Sequence, residues 1–554
     1  MTTTATAGAS RPTGVTTGGR RNGVLAGTGT LLRFGLRRDR VRLPVWIAAV
    51  FLVTVSTANN VKTLYPEAAD RAGVARTSDS PAVLAMTGPV RYLADYTYGA
   101  MLGHRLLGLT VVLVGLMSIL LVTRHTRAEE ESGRAELVRS AAIGRHAHLA
   151  AALGLAAIAN LALALLLTAA LGGLGIESIT TGGSLLYGLS VATGGLLGAA
   201  AAAVTVQLTA HTRAASGGAL AVIGAAFALR AAGDAGDNGL SWVSPIGWLQ
   251  RTYVFVDNRW WPLLLTLLLA AATTAGAFAL STRRDLGAGL RPARLGPPTA
   301  TAALGTPLGF ALRLHRGTLL AFAAAVLLLG AMYGSILGNA DDMLKDVDQI
   351  QDALKRVGGT SIADSLAALT LMVVAVIAAV HAVMATLRPR GEESGGRAEP
   401  VLATGLSRAG WLGSHLTVAL AGSTLLTLAT GVGFGAAGAA STGDAGAFWR
   451  LLGGALAYAP ALWVTVGFAA ALYGWFPRAV PLAWIVPAYA FVIGHLGPLL
   501  KLPEAMNNLS PFGHVPRLPA VGMAWTPIAL LTAVAAALIA LGLVGFARRD
   551  LDMK

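Results

Sequence analysis

The sequence predicts an all-α, polytopic membrane protein of about twelve transmembrane helices, built as two parallel six-helix repeats. Three observations predict it. The 554 residues are 55% hydrophobic and only 12% charged, against about 25% charged in an ordinary soluble domain. Apolar runs of about 20 residues recur, the length a helix needs to cross a hydrocarbon core of about 30 Å. A charged stretch of fixed pattern also occurs twice, as TRHTRAEEESGRAELVRSAAIGR at 123–145 and TLRPRGEESGGRAEPVLATGLSR at 386–408; the copies superpose without a gap, 386 − 123 and 408 − 145 both giving 263.

Residues 1–29 are rich in Thr, Gly and Ala and lack the apolar core of a signal peptide, so they read as a disordered cytoplasmic tail. The first half covers 30–286. Residues 30–43 mix Leu31, Leu32, Phe34 and Leu36 with Arg33, Arg37, Arg38, Arg40 and Arg42. That pattern suits a short basic helix lying on the cytoplasmic leaflet, or simply a basic flank to the first span. Span 1 follows at 44–65, then an outer loop of mixed charge (Glu67, Asp70, Arg71, Arg76, Asp79, Arg91, Asp95). Span 2 is placed at 101–123, followed by the first charged loop. Spans 3, 4 and 5 are placed at 148–172, 184–210 and 215–232, the last two joined by a tight turn at His211-Thr212-Arg213. Span 6 begins near Trp260-Trp261, an aromatic anchor for the membrane interface, and ends before Arg283-Arg284-Asp285-Leu286.

Residues 287–305 form a cytoplasmic linker rich in Pro, Gly and Arg, and the pattern restarts over 306–554. A second basic segment, PLGFALRLHR at 307–316, leads into span 7 at 317–338. An acidic outer stretch with Asp341, Asp342, Asp346, Asp348 and Asp352 comes next. Span 8 is placed at 365–386, followed by the second charged loop. Spans 9 and 10 are placed at 411–438 and 450–474, span 11 at 479–500 and span 12 at 523–546. Three landmarks support the duplication: Ser-Pro-x-Gly at Ser244 and Ser510 (510 − 244 = 266), Arg-Arg-Asp-Leu at Arg283 and Arg548 (548 − 283 = 265), and the turn arginines Arg213 and Arg478 (478 − 213 = 265). Six spans per half return the chain to its starting side, so the two copies run parallel. Basic residues cluster on the side of the termini, linker and charged loops, which the positive-inside rule places in the cytoplasm.

The chain has no cysteine, which excludes disulfides and thiolate metal sites. A nucleotide-binding P-loop needs Gly-Lys followed by Ser or Thr, because the lysine and loop amides cradle the phosphates. None of Lys62, Lys345, Lys355, Lys501 and Lys554 follows a glycine. Ser394-Gly395-Gly396 matches a short stretch of ATP-cassette signature loops, but without a P-loop around it the match is coincidental. His146 and His148 have no carboxylate or histidine cluster to complete a metal site, and no Gly-x-Ser-x-Gly nucleophile elbow occurs.

The charged loops are the best-matched part of the two halves, although loops ordinarily diverge faster than the elements they connect. Thr126-x-x-Glu129 reads as a capping box that starts a short helix. Either both loops meet the same kind of surface, or they are solvated segments held by local ion pairs. Polar residues within spans are costly and often functional; the candidates are Asn160, Gln207, Arg230, His381 and His495. Arg230 and His495 differ by 265 and read as equivalent positions near outer span ends. Each also fits snorkelling or an inter-helix hydrogen bond.

The Glu-Glu-x-x-Gly-Arg-x-Glu pattern at Glu129–Glu136, the basic segment before span 1 and the Ser-Pro-x-Gly segments before spans 6 and 12 resemble a known family. These are the permease subunits of ABC-type exporters in the type-2 class, in the fused twelve-span branch of exporters of polyketide antibiotics (tetronasin-type efflux permeases). The resemblance covers nearly the whole chain beyond the tail. It implies a bacterial inner-membrane permease that moves amphipathic drug- or antibiotic-like compounds out of the cell, with no catalytic site, metal or cofactor of its own. ATP and Mg would be bound by a separate ABC ATPase subunit, two copies per permease chain. The ATPase-coupling role falls by resemblance on Glu129, Glu130, Arg134 and Glu136, and on Glu392, Glu393, Arg397 and Glu399. Pro400, Gly391 and Gly395 depart from the first copy, and a proline interrupts helices, so the second coupling helix is expected to be shorter or bent. The Ser-Pro-x-Gly segments are expected to form short re-entrant helices on the outer side.

The lipid bilayer, the ATPase and an amphipathic small molecule are the expected partners, and nucleic acid is not. A proton-coupled secondary transporter of the major-facilitator type would also have six plus six spans. The loop after span 2 lacks that family's Gly-x-x-x-Asp-Arg-x-Gly-Arg pattern, and few carboxylates lie within the spans. A membrane-embedded enzyme would need a catalytic constellation that does not occur.

The orientation is directly measurable because the chain has no native cysteine. A single cysteine at Ser132 or Ser394 should react with a membrane-impermeant thiol reagent only from the cytoplasmic side. Labelling from outside alone would reverse the topology.

Overall fold

The computed structural model describes residues 23–140, 143–285, 287–291, 296, 298–339, 362–493 and 504–550. His495 and the acidic stretch from Asp341 to Asp352 lie outside the described residues, as do most of the tail and part of the linker. Among the described residues the architecture is all-helical, and eleven helices are long and apolar enough to cross a membrane. The predicted eleventh span is described only to residue 493, as a 3₁₀ turn at Val480–Trp484 and a helix at Ile485–Phe491. The chain divides into two compact units, Met1–Ala75 with Leu84–Arg294, and Arg76–Val83 with Leu295–Lys554.

In the first unit the basic helix, Thr28–Arg38, is separate from span 1, Arg42–Leu64. Asp39 stands at the break, only 1% exposed, with its carboxylate against His125 and 3.1 Å from Arg124 at the end of span 2. Gly35 brings this helix close to span 3, where a Cβ would stand 3.2 Å from Leu155. In the second unit, basic segment and span 7 form one continuous helix, Pro307–Gly334, rather than a segment and a span. That stretch contains no acid and so has no counterpart of Asp39.

The remaining spans of the first unit are Tyr98–His125, Ala147–Gly173, Thr181–Leu208, Thr212–Ala235 and Trp261–Ser281. Thr97 and Thr180 cap two of them, accepting hydrogen bonds from the amides of Ala100 and Gly183. Span 4 packs among spans 2, 3, 5 and 6. Its small residues make this possible: a Cβ on Gly198 would lie 2.6 Å from the Gly115 carbonyl, and one on Gly188 would lie 2.6 Å from that of Ala164.

Spans 8, 9 and 12 of the second unit are Ile362–Thr386, Arg408–Thr442 and Trp525–Arg548. Span 10 is broken into Gly446–Leu456 and Ala459–Trp475, because Pro460 supplies no amide at the start of the second piece. Spans 7 and 9 interlock through glycine: a Cβ on Gly330 would meet the Thr430 carbonyl at 2.6 Å, and one on Gly433 would meet that of Leu327 at 2.2 Å. Spans 10 and 12 approach the same way at Gly474 and Gly542. Close backbone contact at small residues is how helices associate where lipid offers no hydrophobic drive.

Gly198→Val should therefore force spans 2 and 4 apart and destabilise the protein by about 1–3 kcal/mol, the usual cost of overpacking. Gly224→Val is the control, since a Cβ there meets nothing within 4 Å. Thermal unfolding of the detergent-purified chain should show a clear drop for the first and little change for the second.

Candidate functional site

The two charged loops fold alike. Each makes two short helices, Arg127–Glu131 and Arg134–Arg139 in the first unit, and Arg388–Ser394 and Ala398–Leu402 in the second. Gly133 sits between the first pair with a φ of 72°, and Gly396 between the second pair with a φ of 69°; glycine takes this left-handed conformation without a steric cost. Pro400 stands inside the second short helix of the second loop, which is five residues long. The predicted capping box does not form. The Thr126 hydroxyl donates to the Val122 carbonyl at 2.7 Å, and the Glu129 carboxylate is taken up by Arg38 and, at 3.3 Å, by Arg134. The Thr126 oxygen could still accept while its hydroxyl donates, but it makes no cap bond to the amides of the next turn.

The adjacent glutamates of each loop face different ways. Glu129 and its counterpart Glu392 bind the arginine five residues on, Arg134 at 3.3 Å and Arg397 at 2.6 Å. These arginines are open to solvent, 58% and 63% exposed. Bonding to Glu392 raises the pKa of Arg397 further above its ordinary value. Glu136 and Glu399 are exposed, and Leu137 presents its side chain 75% exposed beside Glu136.

Glu130 and Glu393 turn inward instead. Glu130 is gripped at two points by Arg284, with distances of 2.6 and 2.9 Å, and by Arg127 at 2.7 Å. Arg127 is completely buried and donates also to the carbonyls of Val206 and Ala288. Arg284 donates from Nε to the side-chain oxygen of Gln207 at 2.5 Å. In the second unit, Glu393 receives Arg549 at 2.6 Å and the Tyr473 hydroxyl at 2.5 Å. Arg284 and Arg549 belong to the two Arg-Arg-Asp-Leu motifs at the ends of spans 6 and 12. A second tie joins the same elements. Arg145 donates to the Thr282 carbonyl at 2.8 Å, and Arg408 donates to that of Arg549 at 2.7 Å. Beside Arg145, the His146 imidazole lies 3.0 Å from the Ser281 hydroxyl, and burial together with the Arg145 charge lowers its pKa.

The candidates within the spans are dispersed. Asn160 is buried and donates to the Ser118 hydroxyl at 2.9 Å, bridging spans 3 and 2. Gln207 belongs to the Glu130 network. His381 is 2% exposed and packs against Phe322 at 5.3 Å. Arg230 is fully buried at the far end of span 5, 3.6 Å from Asp234, and donates to the carbonyls of Leu84 and Met86. Arg251 also reaches Asp234, at 3.4 Å. The Ser-Pro-x-Gly segments do form short helices, Pro245–Gln250 and Pro511–His514, capped by Ser244 and Ser510.

Sequence reasoning did not single out Arg127, Arg284, Arg549 and Tyr473 as site residues. For the three arginines a signal existed, because Arg284 and Arg549 lie in one duplicated motif and Arg127 in another. It likewise missed Arg105 against Tyr65 and Tyr96, and the buried pair His315 and His415, whose ring nitrogens lie 2.9 Å apart.

A protein family described as multidrug efflux system permease Rv1217c, C-terminal domain, matches the chain over residues 29–280 and 304–547. The chain belongs to this permease family. It is 41% identical over 537 residues to the multidrug efflux system permease protein Rv1217c of Mycobacterium tuberculosis (strain ATCC 25618 / H37Rv), covering 96% of each protein. Membership in this permease family and eleven membrane-length helices among the described residues make the chain a multi-pass membrane protein of the transport type.

The two kinds of ion pair should respond differently to mutation. Tyr473→Phe removes one of the groups bound to a 5%-exposed carboxylate and should cost about 1–3 kcal/mol. Arg397→Ala breaks a solvent-open pair and should cost below about 1 kcal/mol. Thermal unfolding of the two purified variants measures the contrast.

Proposed function

We propose that the chain is the membrane subunit of an ATP-driven exporter of the ABC type, moving amphipathic drug- or antibiotic-like compounds across the bacterial inner membrane. Both termini and both charged loops lie in the cytoplasm. Two copies of a separate ATPase chain dock on the two loops and carry the ATP and Mg. One observation carries the reading: a chain of a multidrug efflux permease family presents the same two-helix charged loop once per unit, yet holds no Gly-Lys of a P-loop. On this reading the energy comes from another chain, and the duplicated loops offer it two like surfaces. A secondary mechanism would call for ionisable groups within the spans to carry protons, and few carboxylates lie there.

The loop geometry divides the labour among the coupling residues. Arg134, Glu136, Leu137, Arg397 and Glu399 face outward and form the docking surface. Glu130 and Glu393 stand behind it and hold each loop to its own unit. Charged groups on a docking face set register and on-rate, and reversing one opposes association.

Glu136→Lys together with Glu399→Lys should leave the chain folded and inserted. It should weaken ATPase docking by roughly tenfold, corresponding to about 1.4 kcal/mol, and reduce substrate-stimulated ATP turnover accordingly. The measurements are co-purification of the ATPase and turnover by the reconstituted complex. Normal co-purification and normal stimulation would mean that these are solvated loops without a partner. The chain purified alone should hydrolyse no ATP, and turnover by the pure chain would refute the reading outright.

A further inference from the structure

The loop carboxylates Glu130 and Glu393 occupy equivalent places, 393 − 130 giving 263, and their arginines likewise, 549 − 284 giving 265. Each pair joins a charged loop to the end of the last span of its own unit, across 154 residues in the first and 156 in the second. In neither unit do neighbouring residues explain the pair, since one partner follows the second span of the repeat and the other follows its last. Arg145 and Arg408 reinforce the same junction by bonding the last turns of those spans.

The surroundings of the two pairs differ. The first borders a cavity of about 210 Å³ whose wall includes Thr126, His148, Gln207, Ser281 and both members of the pair. In the second unit the positions equivalent to His148 and Ser281 are Trp411 and Phe546 (411 − 148 = 263, 546 − 281 = 265). These rings stack 5.6 Å apart, Tyr473 stacks on Phe546 at 5.2 Å, and all three are buried. The Arg549 guanidinium lies 4.9 Å over the Tyr473 ring and 5.0 Å over that of Phe546. Where the first unit has a polar hollow, the second has packed aromatic side chains.

We propose that Arg284 and Arg549 are positioning residues of the transport cycle: each clasps the loop glutamate so that the loop and the end of span 6 or span 12 move as one piece. The two clasps have unequal room to open. Arginine–carboxylate pairs are directional and strong, and the first here is bidentate. Both pairs are mostly buried, at 9% and 8% exposed in the first and 13% and 5% in the second, but the cavity leaves the first pair space to part and admit ions, whereas the rings packed on Arg549 leave the second none. The first clasp is therefore the one that can open and close, and the second holds its loop throughout. This rests on the coupling role proposed above for the loops.

The test uses the full chain, alone and with its ATPase. Nitroxide labels on cysteines at Ser132 and Arg283, introduced into a chain without native cysteine, report the loop-to-span distance in the first unit. Labels at Ser394 and Arg548 report it in the second. Arg284→Ala should broaden the first distance distribution and lower substrate-stimulated ATP turnover roughly tenfold, with the ATPase still co-purifying. Arg284→Lys, which keeps the charge, should retain a narrow distribution and most of the stimulation. Should Arg284→Ala not accumulate as folded protein, Glu130→Gln gives the same reading. Salt at about 1 M, where screening acts over about 3 Å, should broaden the first distribution and leave the second narrow. His148→Trp with Ser281→Phe, which fills the cavity as the second unit fills its own, should abolish that salt response.

Narrow distributions and normal stimulation in Arg284→Ala would overturn the positioning role. A loss restored by neither lysine nor any other condition, with the ATPase no longer bound, would reduce the pair to a structural brace. Equal salt response of the two units, or an undiminished response in the filled variant, would overturn the inequality. Failure of the wild-type chain to bind any ATPase would sink the coupling reading while the label distances still decide whether the clasps exist.

Discussion

Both units depend on how closely two helix backbones can approach. Within lipid there is no hydrophobic gain from pressing one apolar helix against another, so packing contacts and hydrogen bonds must supply the association. Gly115 with Gly198, Gly330 with Thr430, and Gly474 with Gly542 set backbones so close that a single Cβ would stand inside contact distance. The abundance of glycine, 68 residues in 554, is placed to use this. Buried side-chain bonds such as Asn160 to Ser118 then add direction to contacts that packing alone would leave free to slide.

Buried charge is likewise held by partners brought to it. A buried ion is tolerable only when its partners are supplied, and removing one partner costs more than the pair contributes. Arg230 sits among Asp234 and two backbone carbonyls, and Arg127 among Glu130 and two more. The clasps at Glu130 and Glu393 follow the pattern while adding reach, since they tie an exposed loop to the end of a distant span. A displacement of the loop would then be carried to that span.

Much of this was legible in the chain. Composition and run length place the class, and the duplicated stretches mark the loops and the last-span motifs as features present in both halves. Thr97, Thr180, Ser407 and Ser510 cap helices, and none was read as a cap from the chain; the one cap that was, Thr126, does not form. Its spacing to Glu129 matches a capping box, yet Arg38 and Arg134 compete for that glutamate, and Arg38 comes from another helix. The continuous helix Pro307–Gly334 shows another limit. A basic segment and a span read as two elements in both halves, and only the first unit breaks the helix between them.

The sequence by itself determined that the chain is helical, crosses the membrane many times, repeats itself, and lacks the residues to bind ATP through a P-loop. These follow from quantities that accumulate along the chain: apolar length, charge distribution, and the offset between copies. Only the tertiary structure decided which of two adjacent glutamates turns inward. Glu129 and Glu130, like Glu392 and Glu393, are neighbours of identical chemistry. Their roles separate because a helix turns the second toward the junction where Arg284 or Arg549 arrives from about 150 residues away. A direction in space set by a partner so remote in the chain leaves no mark in local spacing.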